Sequence, residues 1–528
     1  MAESDREDKK LDRIALLEYC KRSPDIWDVI VIGGGATGLG AAVDAASRGY
    51  RTLLLEQSDF AKGTSSRSTK LIHGGLRYLK QGNISLVTEA LKERGLLCKN
   101  APHLVSHLPF LVPNYHWWEA PFYGIGLKVY DLLAGDLGLE KSTHLSREQT
   151  LLRIPTLEPK DLRGGVVYYD GQFDDARLAI ALAQTCVDVG GVPINYMPVL
   201  GLIKEKGIVT GVKARDLESG DEYTLHSKIV INATGVFTDG IRKMDDAKIE
   251  PIVAPSQGVH LVLDRSFMPT DMAIMIPHTD DGRVLFFVPW HRHLIVGTTD
   301  TPVLKATLEP RPLQEEINFL LKHAGRYLAR QPKREDILSV FAGLRPLVQA
   351  SGIHKTAALS RDHTILVSES KLITITGGKW TTYRKMAEDV INHAIETGDL
   401  DPQPCSTETL RLHGYKEGRH PVDAWASYGS DALELEKLIA QHPDWGHLLH
   451  PRLPYLPVEI VWAVRQEMAR TLEDVLARRT RSLLLDAKAS LEIAPRTAKI
   501  MAHELGKGSA WEQEQLTAYD ELASGYTL

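Results

Sequence analysis

Cysteine and long apolar runs are scarce in this chain of 528 residues. The four cysteines form no CxxC pair, which argues against a zinc ribbon or a redox dithiol and fits a reducing compartment. No run of about 18 apolar residues is present, so we expect no transmembrane helix. The charged, acid-rich N-terminal stretch resembles neither a secretory signal nor a transit peptide. Any membrane contact is therefore expected to be peripheral.

A strong excess of one charge is also missing. Lys and Arg number 62 and Asp and Glu number 68, giving a formal net charge of −6. This balance argues against a nucleic-acid binder, although a local basic patch can still hold a phosphate. Apolar residues make up 43% and charged residues 25%, which excludes collagen-like, disordered and disulfide-scaffold classes. HExxH, GxSxG and GxxxxGK[ST] patterns are absent, and we expect no metal site.

Hydrophobic patterning divides the chain into three parts. Residues 1–26 are typical of a polar arm with one short helix. Residues 27–400 alternate strand and helix patterns, as in α/β or α+β proteins. The helix patterns in this part cover residues 84–99, 175–189 and 313–329.

The third part, residues 401–528, lacks strand patterns. From Pro457 onward, apolar residues recur at spacings of three and four, which predicts one helix with a single apolar stripe. The stripe comprises Val461, Val464, Met468, Leu472 and Val475. We therefore expect a C-terminal helical domain.

A dinucleotide-binding fingerprint lies in the first βαβ unit. The β-branched strand at residues 28–32 ends at Gly33-Gly34-Gly35-Ala36-Thr37-Gly38, which satisfies GxGxxG, and Glu56 closes the next apolar strand. Gly33 allows the tight turn, Gly35 lets a pyrophosphate approach the backbone, and Gly38 lets the helix lie on the strand. The helix N-terminus favours the diphosphate, and the Glu56 carboxylate suits ribose hydroxyls while repelling the 2′-phosphate of NADP.

The fingerprint fits either NAD or FAD, and two features favour FAD. It lies near the N-terminus, with no catalytic domain before it. Residues 229–235 form an apolar strand that ends in Ala-Thr-Gly, and in many flavoproteins such a strand brings its glycine, here Gly235, near the cofactor. A glycine-rich turn in a nucleotide-free α/β protein is the alternative.

Further motifs carry a family resemblance. They are GTSSRSTKLIHGGLRYLKQGN at residues 63–83, then DDARL, INATG, VPW followed by GTTD, AGLRPL, SRDH and GGKWTTYRKMAE. With the GGGATGLG start, their order and spacing resemble the FAD-dependent glycerol-3-phosphate dehydrogenases, within the D-amino-acid-oxidase-like flavoproteins. The resemblance covers residues 27–390 strongly and the C-terminus loosely, and some relatives have Leu in place of Trp380. It implies a Rossmann-like FAD-binding domain with an inserted β-rich substrate domain.

The resemblance also implies an activity. FAD would oxidise sn-glycerol 3-phosphate to dihydroxyacetone phosphate, and the electrons would pass to a membrane quinone. The protein would then lie in the cytoplasm, attached peripherally to the inner face of the cell membrane. Two alternatives stay open: an oxygen-using oxidase of the same fold acting on glycerol 3-phosphate, an amine or another alcohol, and a flavin-binding module without turnover. A homodimer is one option for the assembly.

A phosphorylated alcohol needs a clamp for its dianion, a base for its hydroxyl and a hydride acceptor. Arg and Lys suit the clamp because they make charge-assisted hydrogen bonds to phosphate oxygens, and His suits the base because its pKa lies near neutral pH. Residues at the family's substrate-binding positions are Arg77, Tyr78, Arg345, Arg361 and Lys379. The candidate catalytic residues are His73, His260 and Arg345.

Small hydroxyl side chains just past the second strand suit contacts with the pyrophosphate and the flavin ring. The cofactor-binding positions implied by the fingerprint and the resemblance are Gly33, Gly35, Gly38, Glu56, Thr64, Ser65, Ser66, Lys70, Gly235 and Gly378.

Two stretches bear on membrane contact. Residues 115–133 are rich in aromatics, with Lys128 among them, as in interfacial helices, and a core helix is the alternative. These aromatics include Trp117, Trp118, Phe122, Tyr123 and Tyr130. The basic cluster of Arg478, Arg479 and Arg481 is expected to be a solvated helix face, with contact to anionic lipids as the alternative.

Overall fold

The computed structural model describes residues 11–22, 26–75, 83–280, 282–348, 362–418 and 425–528. The helices are α1 (Arg13–Arg22), α2 (Ala36–Ser47), α3 (Ile84–Asn100), α4 (Glu119–Ala134), α5 (Arg147–Arg153), α6 (Asp175–Asp188), α7 (Thr238–Asp245), α8 (Gln314–Tyr327), α9 (Tyr383–Gly398), α10 (Ala432–Gln441), α11 (Pro457–Gln466), α12 (Ser482–Leu485), α13 (Ala487–Leu505) and α14 (Ser509–Ala523). The strands are β1 (Trp27–Ile32), β2 (Thr52–Leu55), β3 (Leu71–Ile72), β4 (Val105–Asn114), β5 (Thr143–Ser146), β6 (Gly164–Phe173), β7 (Val192–Ile194), β8 (Val199–Glu205), β9 (Ile208–Arg215), β10 (Glu222–Asn232), β11 (Val253–Asp264), β12 (Ala273–Ile276), β13 (Leu285–Trp290), β14 (His293–Gly297), β15 (Thr301–Pro302), β16 (Ile337–Val348), β17 (His363–Val367) and β18 (Ile373–Gly377).

The first sheet is the dinucleotide-binding layer. Its strand order is β17-β18-β10-β1-β2-β7, with a parallel centre, and the β8–β9 hairpin continues from β10. Alternate residues of β1 face opposite layers: Val29 packs in the core that contains Leu39 of α2, and Ile30 packs in the core that contains Val212 of β9. Burial on both faces explains why these strands are continuous apolar runs. The predicted β1–α2–β2 unit is confirmed.

The second sheet is mostly antiparallel and has ten strands. Its order is β15-β11-β14-β13-β12-β4-β6-β3, with β16 beside β11 and β5 beside β6. The long β11–β16 pair runs from Val253 opposite Val348 to Leu263 opposite Ile337. In the chain, these strands alternate with those of the first sheet, so the expected fold class, a Rossmann-like domain with an inserted β-rich part, is confirmed.

The helices α10–α14 form the C-terminal part, and no strand follows β18 in the described parts of the chain. The helical structure predicted from Pro457 is confirmed, but it is divided among several helices. The helix α11 ends at Gln466, because the fully buried Glu467 pairs with Arg177 at 2.7 Å and Met468 takes a φ of +55°. Leu472 and Val475 are also fully buried, but they belong to later turns, so several short elements together mimic one helical period.

The arginine cluster is neither a solvated face nor a lipid contact. Arg478, Arg479 and Arg481 are each at most 2% exposed. Arg478 and Arg479 both donate to the carboxylate of Asp59, and Arg481 donates to Asp175 at 2.9 Å. The first expectation failed because the paired carboxylates lie more than 300 residues away in sequence. The cluster joins the C-terminal helices to the segment that follows β2.

Candidate active site

A cavity of about 590 Å³ opens where the carboxyl ends of the first sheet meet the second sheet. The first sheet contributes Glu56 after β2, residues 233–237 after β10 and residues 377–381 after β18. The second sheet contributes residues from β11 and β16 and the loop between β14 and β15. In α/β sheets, ligands bind at the carboxyl ends of the parallel strands, so this position suits a nucleotide.

The glycines of the fingerprint shape one wall of this cavity. Gly33 adopts a φ of +109°, and a side chain there would come within 2.6 Å of the Ala233 carbonyl oxygen. A side chain at Gly38 would collide with the carbonyl oxygen of Gly33, so α2 lies directly on the turn. Gly35 lines the cavity, and a Cβ there would meet only the Ser65 hydroxyl oxygen, at 3.0 Å. The wall therefore leaves the backbone open to a diphosphate.

Glu56 lines the cavity at the end of β2. Its carboxylate accepts hydrogen bonds from the backbone N–H groups of Gly34 at 2.6 Å and Ser58 at 2.8 Å. Burial raises the pKa of Glu56, and these two donors oppose that rise. Each carboxylate oxygen keeps a further lone pair, so a ribose hydroxyl can still donate to it.

The hydroxyl segment after β2 is only partly in the cavity. Thr64 and Ser65 line it, and the Ser65 hydroxyl accepts from the Ala36 N–H at 2.9 Å, at the first turn of α2. Trp380 Nε1 donates to the Ser65 carbonyl at 2.9 Å, which fixes the segment from the other side. Gly235 and Gly378 also line the cavity, as expected of cofactor-binding positions.

Ser66 and Lys70 lie outside the cavity lining. The ammonium group of Lys70 is fully buried, 2.7 Å from Asp175, and it donates to the Ser66 carbonyl at 2.8 Å. It also lies 5.3 Å from the ring centres of both Trp290 and Phe341. Burial lowers the pKa of Lys70 to about 7. The structure thus places these two residues in a support beneath the site.

Arg345 and Lys379 bring positive charge to the cavity from opposite sheets. The Arg345 guanidinium donates to the Thr298 hydroxyl at 3.2 Å and the Thr299 carbonyl at 3.0 Å. It also forms an ion pair with Asp300 at 3.3 Å. These contacts hold the guanidinium in one orientation. Of the other expected clamp residues, Arg77, Tyr78 and Arg361 lie outside the described residues.

Both candidate histidines line the cavity. The His260 ring is stacked on Phe341, with centroids 4.8 Å apart, and its Nε2 lies 2.9 Å from the Thr69 hydroxyl. Its Nδ1 is buried and has no hydrogen-bond partner among the described residues. Burial lowers the pKa of His260 well below its usual range, and the charges of Lys70 and Arg345 lower it further. The imidazole is therefore neutral at physiological pH.

The cavity continues into an apolar arm, defined by Phe110, Tyr168, Met275, Val284 and Phe286. The rings of Phe110 and Tyr168 are stacked with centroids 5.2 Å apart, and Phe286 meets Phe110 edge-on at 6.2 Å. An arm of this composition suits a hydrophobic ring system.

Several residues at the site were not predicted. Asp300 ends the GTTD motif, but the sequence gives no sign that it pairs with Arg345. Asp170 lines the cavity from β6, although its stretch reads as an ordinary buried strand. Thr381 contacts His73, and the only local signal is its position two residues after Lys379. The Asp300–Arg345 and Thr381–His73 contacts each join elements that are distant in sequence.

Comparisons with known proteins agree with this geometry. The family model described as FAD dependent oxidoreductase matches residues 28–384, and the model for the C-terminal domain of alpha-glycerophosphate oxidase matches residues 374–515. The mitochondrial glycerol-3-phosphate dehydrogenase of Mus musculus is 41% identical, over 96% of this chain and 74% of its own length. That of Arabidopsis thaliana is 40% identical, over 94% and 86%.

A solved structure extends the likeness to the whole fold. The glycerol-3-phosphate dehydrogenase of Bacillus halodurans, in complex with FAD, superposes with a TM-score of 0.76 at 28% identity and covers 98% of each chain. The fold and the cavity thus define an FAD-dependent oxidoreductase. The chain belongs to the glycerol-3-phosphate dehydrogenase family.

FAD is the cofactor, and the residues at the cavity fit it. Gly33, Gly35 and the first turn of α2 would hold the diphosphate, and Glu56 the ribose. Thr64 and Ser65 would then lie along the pyrophosphate and the flavin ring.

We expect Gly35→Val to yield nearly colourless protein, because the branched side chain would fill the backbone approach that the pyrophosphate needs. The measurement is bound FAD per chain, from absorbance after gel filtration. Gly201→Val is the matched control, since a Cβ at Gly201 on β8 meets nothing within 4 Å. Full FAD occupancy in the Gly35 variant would overturn the assignment of this wall.

Proposed function

We propose that this protein oxidises sn-glycerol 3-phosphate to dihydroxyacetone phosphate. The observation that carries the proposal is the placement of Arg345, Lys379, His73 and His260 around one cavity at the carboxyl ends of the dinucleotide-binding sheet. Two cations suit a phosphate dianion, and a histidine suits a hydroxyl proton. The names of the relatives support the same substrate.

Arg345 would orient the phosphate with a guanidinium that is already fixed, so little side-chain entropy is lost on binding. Lys379 would add a second positive charge. When bound, FAD supplies the acceptor for the hydride that leaves C2.

His260 is the favoured base, because its neutral imidazole can take the hydroxyl proton as the C2 carbonyl forms. The Thr69 hydroxyl lies 2.9 Å from Nε2 of the ring and holds its orientation at the cavity wall.

The test is anaerobic addition of glycerol 3-phosphate to the purified flavoprotein. The visible absorbance of the oxidised flavin should fall within seconds, and an equal concentration of glycerol should leave it nearly unchanged. No bleaching by glycerol 3-phosphate would overturn the proposal. Rapid production of hydrogen peroxide in air would instead favour the oxygen-using oxidase.

We propose a membrane quinone as the acceptor and peripheral attachment at the cytoplasmic face of the cell membrane. The support is an apolar face on and just before α4, which comprises Trp117, Trp118, Phe122, Ile125, Val129 and Leu132, all exposed. The spacing of the last five by three and four residues forms one stripe. The opposite side of α4, including Tyr123 and Tyr130, is buried, so the helix serves both as core and as an exposed apolar surface.

The face is large and apolar for an exposed surface, with Trp117 76% and Leu132 80% exposed. Lys128 lies beside it and is also exposed, as expected at an anionic membrane surface. The apolar arm of the cavity packs in the same hydrophobic cluster as Tyr123 and Tyr130 of α4, so the exposed apolar face and the cavity lie on either side of one core. In the described parts of the chain, no helix is long and apolar enough to cross a bilayer.

We expect Trp117→Ser with Ile125→Ser to lower binding to phosphatidylethanolamine–phosphatidylglycerol vesicles by about tenfold or more, because large apolar side chains supply the insertion energy. The measurement is co-sedimentation. Leu433→Ser is the matched control, because Leu433 is 56% exposed on the C-terminal helix α10. Anaerobic flavin reduction should proceed at the same rate in the wild type, the double variant and Leu433→Ser. Equal binding by wild type and the double variant would contradict attachment through this face.

A further inference from the structure

A buried polar cluster lies at one wall of the cavity, where α3, α4 and β6 meet, and its member Asp170 lines the cavity. It comprises Arg94 of α3, Tyr130 of α4 and Asp170 of β6, each at most 2% exposed. Arg94 donates to Asp170 at 2.7 Å, and the Tyr130 hydroxyl donates to the same carboxylate at 2.8 Å. Burial raises the pKa of Asp170, and Arg94, Tyr130 and the Gly74 N–H oppose that rise. The carboxylate is therefore held by three specific donors.

The Tyr130 hydroxyl of this cluster contacts the His73–Gly75 segment through one backbone group, the N–H of Gly74. The Gly74 N–H donates to the Tyr130 hydroxyl at 2.8 Å, so this hydroxyl accepts from Gly74 while it donates to Asp170. The contact is close, because a Cβ at Gly74 would lie 2.7 Å from the hydroxyl oxygen and 2.6 Å from Leu91. Gly74 follows His73 directly, and both His73 and Gly75 line the cavity.

The other side of the same segment is held by Thr381. Its hydroxyl accepts from the His73 N–H at 3.2 Å and lies 3.4 Å from the His73 carbonyl. Thr381 follows Lys379 in the loop after β18, so the segment is held between a phosphate-binding loop and the polar cluster. Beyond Gly75, the chain leads to Arg77 and Tyr78, which lie outside the described residues.

We propose that Tyr130 and Asp170 are positioning residues for the reaction, which set the place of the His73–Gly75 backbone against the substrate. This inference rests on the proposed function, because it concerns the geometry in which that substrate reacts. Neither residue needs to contact substrate or cofactor. Tyr130 acts through the Gly74 N–H, and Asp170 acts by fixing the orientation of the Tyr130 hydroxyl.

Burial explains why a single hydroxyl suffices. Gly74 is buried, and without the Tyr130 hydroxyl its N–H would lose the acceptor at 2.8 Å and keep only the Asp170 carboxylate. The segment would then shift toward Asp170. A displacement of about 1 Å is enough to lower a reaction rate substantially when reacting groups must be aligned. The phosphate contacts proposed for Arg345 and Lys379 come from other elements, so these two contacts should persist when the segment moves.

The experiment compares Tyr130→Phe with Tyr123→Phe in the FAD-loaded protein. Tyr123 is a matched control, because it lies on the same helix, is 6% exposed, and its hydroxyl has no hydrogen-bond partner among the described residues. Stopped-flow reduction by glycerol 3-phosphate gives the limiting rate and the apparent Kd separately. We expect Tyr130→Phe to lower the limiting rate about tenfold, with a smaller change in the Kd and with FAD occupancy unchanged.

Two further results decide the proposal. Thr381→Val, which removes the hydroxyl on the other side of His73, should lower the limiting rate in the same way. Amide exchange over residues 71–75 should be about tenfold faster in Tyr130→Phe than in wild type or Tyr123→Phe. The exchange measurement needs no turnover, so it separates this proposal from the proposed function. The positioning role of Tyr130 would be overturned if Tyr130→Phe kept the wild-type exchange rate and the wild-type limiting rate. It would also be overturned if Tyr123→Phe lost as much of the limiting rate as Tyr130→Phe.

Discussion

Asp59→Asn should lower the free energy of unfolding by about 3–5 kcal/mol, as expected when one partner of a buried charge cluster is removed. Asp59 is fully buried and accepts from both Arg478 and Arg479, with Arg479 Nη2 at 3.0 Å from Oδ1. The variant keeps the size of the side chain but leaves two guanidinium groups buried without their shared carboxylate. Arg478 keeps Glu473 and Asp474, which moderates the loss.

The same substitution should weaken FAD binding. Asp59 lies three residues after Glu56 and six before Ser65, in the segment that carries the cofactor-facing side chains. Two more contacts tie this segment to the C-terminal helices: Lys62 pairs with Glu473 at 2.7 Å, and Arg481 donates to the Ser66 carbonyl at 2.7 Å. The C-terminal part therefore acts as a support for the cofactor site.

The measurement is urea unfolding, followed by tryptophan fluorescence and by the release of FAD fluorescence. Asp271→Asn is the matched control, because the Asp271 side chain is 90% exposed and its ion pair with Arg265 lies at the surface. The free energy of unfolding of that control should fall by at most about 1 kcal/mol. High salt should not rescue the Asp59 variant, since buried pairs are little screened. A midpoint for Asp59→Asn equal to that of the control would show that the arginines find other partners.

The sequence predicted those parts of the fold that depend on neighbouring residues. The β1–α2–β2 unit is visible because a buried parallel strand must be apolar, the turn after it must be glycine, and both signals lie within 30 residues. Gly33, Gly35 and Glu56 follow from the same local logic. Lys379 and Arg345 were found by family resemblance, and their placement at one cavity depends on two different sheets.

The parts that were missed depend on partners far away in the chain. Arg478 looks like a surface cation until Asp59, 419 residues away, is brought against it. Lys70 looks like a phosphate ligand until Asp175 pairs with it beneath the site. The stripe from Val461 to Val475 is a case in which a local pattern misleads, because several short helical segments together give the spacing of one helix. A local hydrophobic period therefore predicts which residues are buried better than it predicts where a helix ends.

Arg345→Ala should lower kcat/KM for glycerol 3-phosphate by roughly 10- to 100-fold, because a charge-assisted hydrogen bond to a phosphate in a partly desolvated site contributes about 1.5–3 kcal/mol. Lys379→Ala should lower kcat/KM by a factor in the same range. Arg345→Ala should show the larger loss, since it also removes the ion pair between Arg345 and Asp300 in the cavity. The Asp300 carboxylate would then lie near the substrate dianion without the Arg345 charge between them, and it would weaken binding.

The role of Asp300 makes this prediction specific. The double variant Arg345→Ala with Asp300→Asn should recover part of the activity that Arg345→Ala loses, because the repelling charge is gone. Such a recovery is not expected if Arg345 acts only through the packing of β16. The measurement is steady-state kinetics with an artificial electron acceptor, with FAD occupancy checked in each variant.

Glycerol is the internal control, since it lacks the dianion but carries the same hydroxyl at C2. Its slow oxidation should be almost unchanged in Arg345→Ala and Lys379→Ala, because neither variant removes a group that receives the proton. His260→Ala, in contrast, should lower the rates of oxidation of both substrates by the same factor. If the two clamp variants depress glycerol and glycerol 3-phosphate equally, then Arg345 and Lys379 do not bind the phosphate but act in proton transfer or in the structure of the cavity.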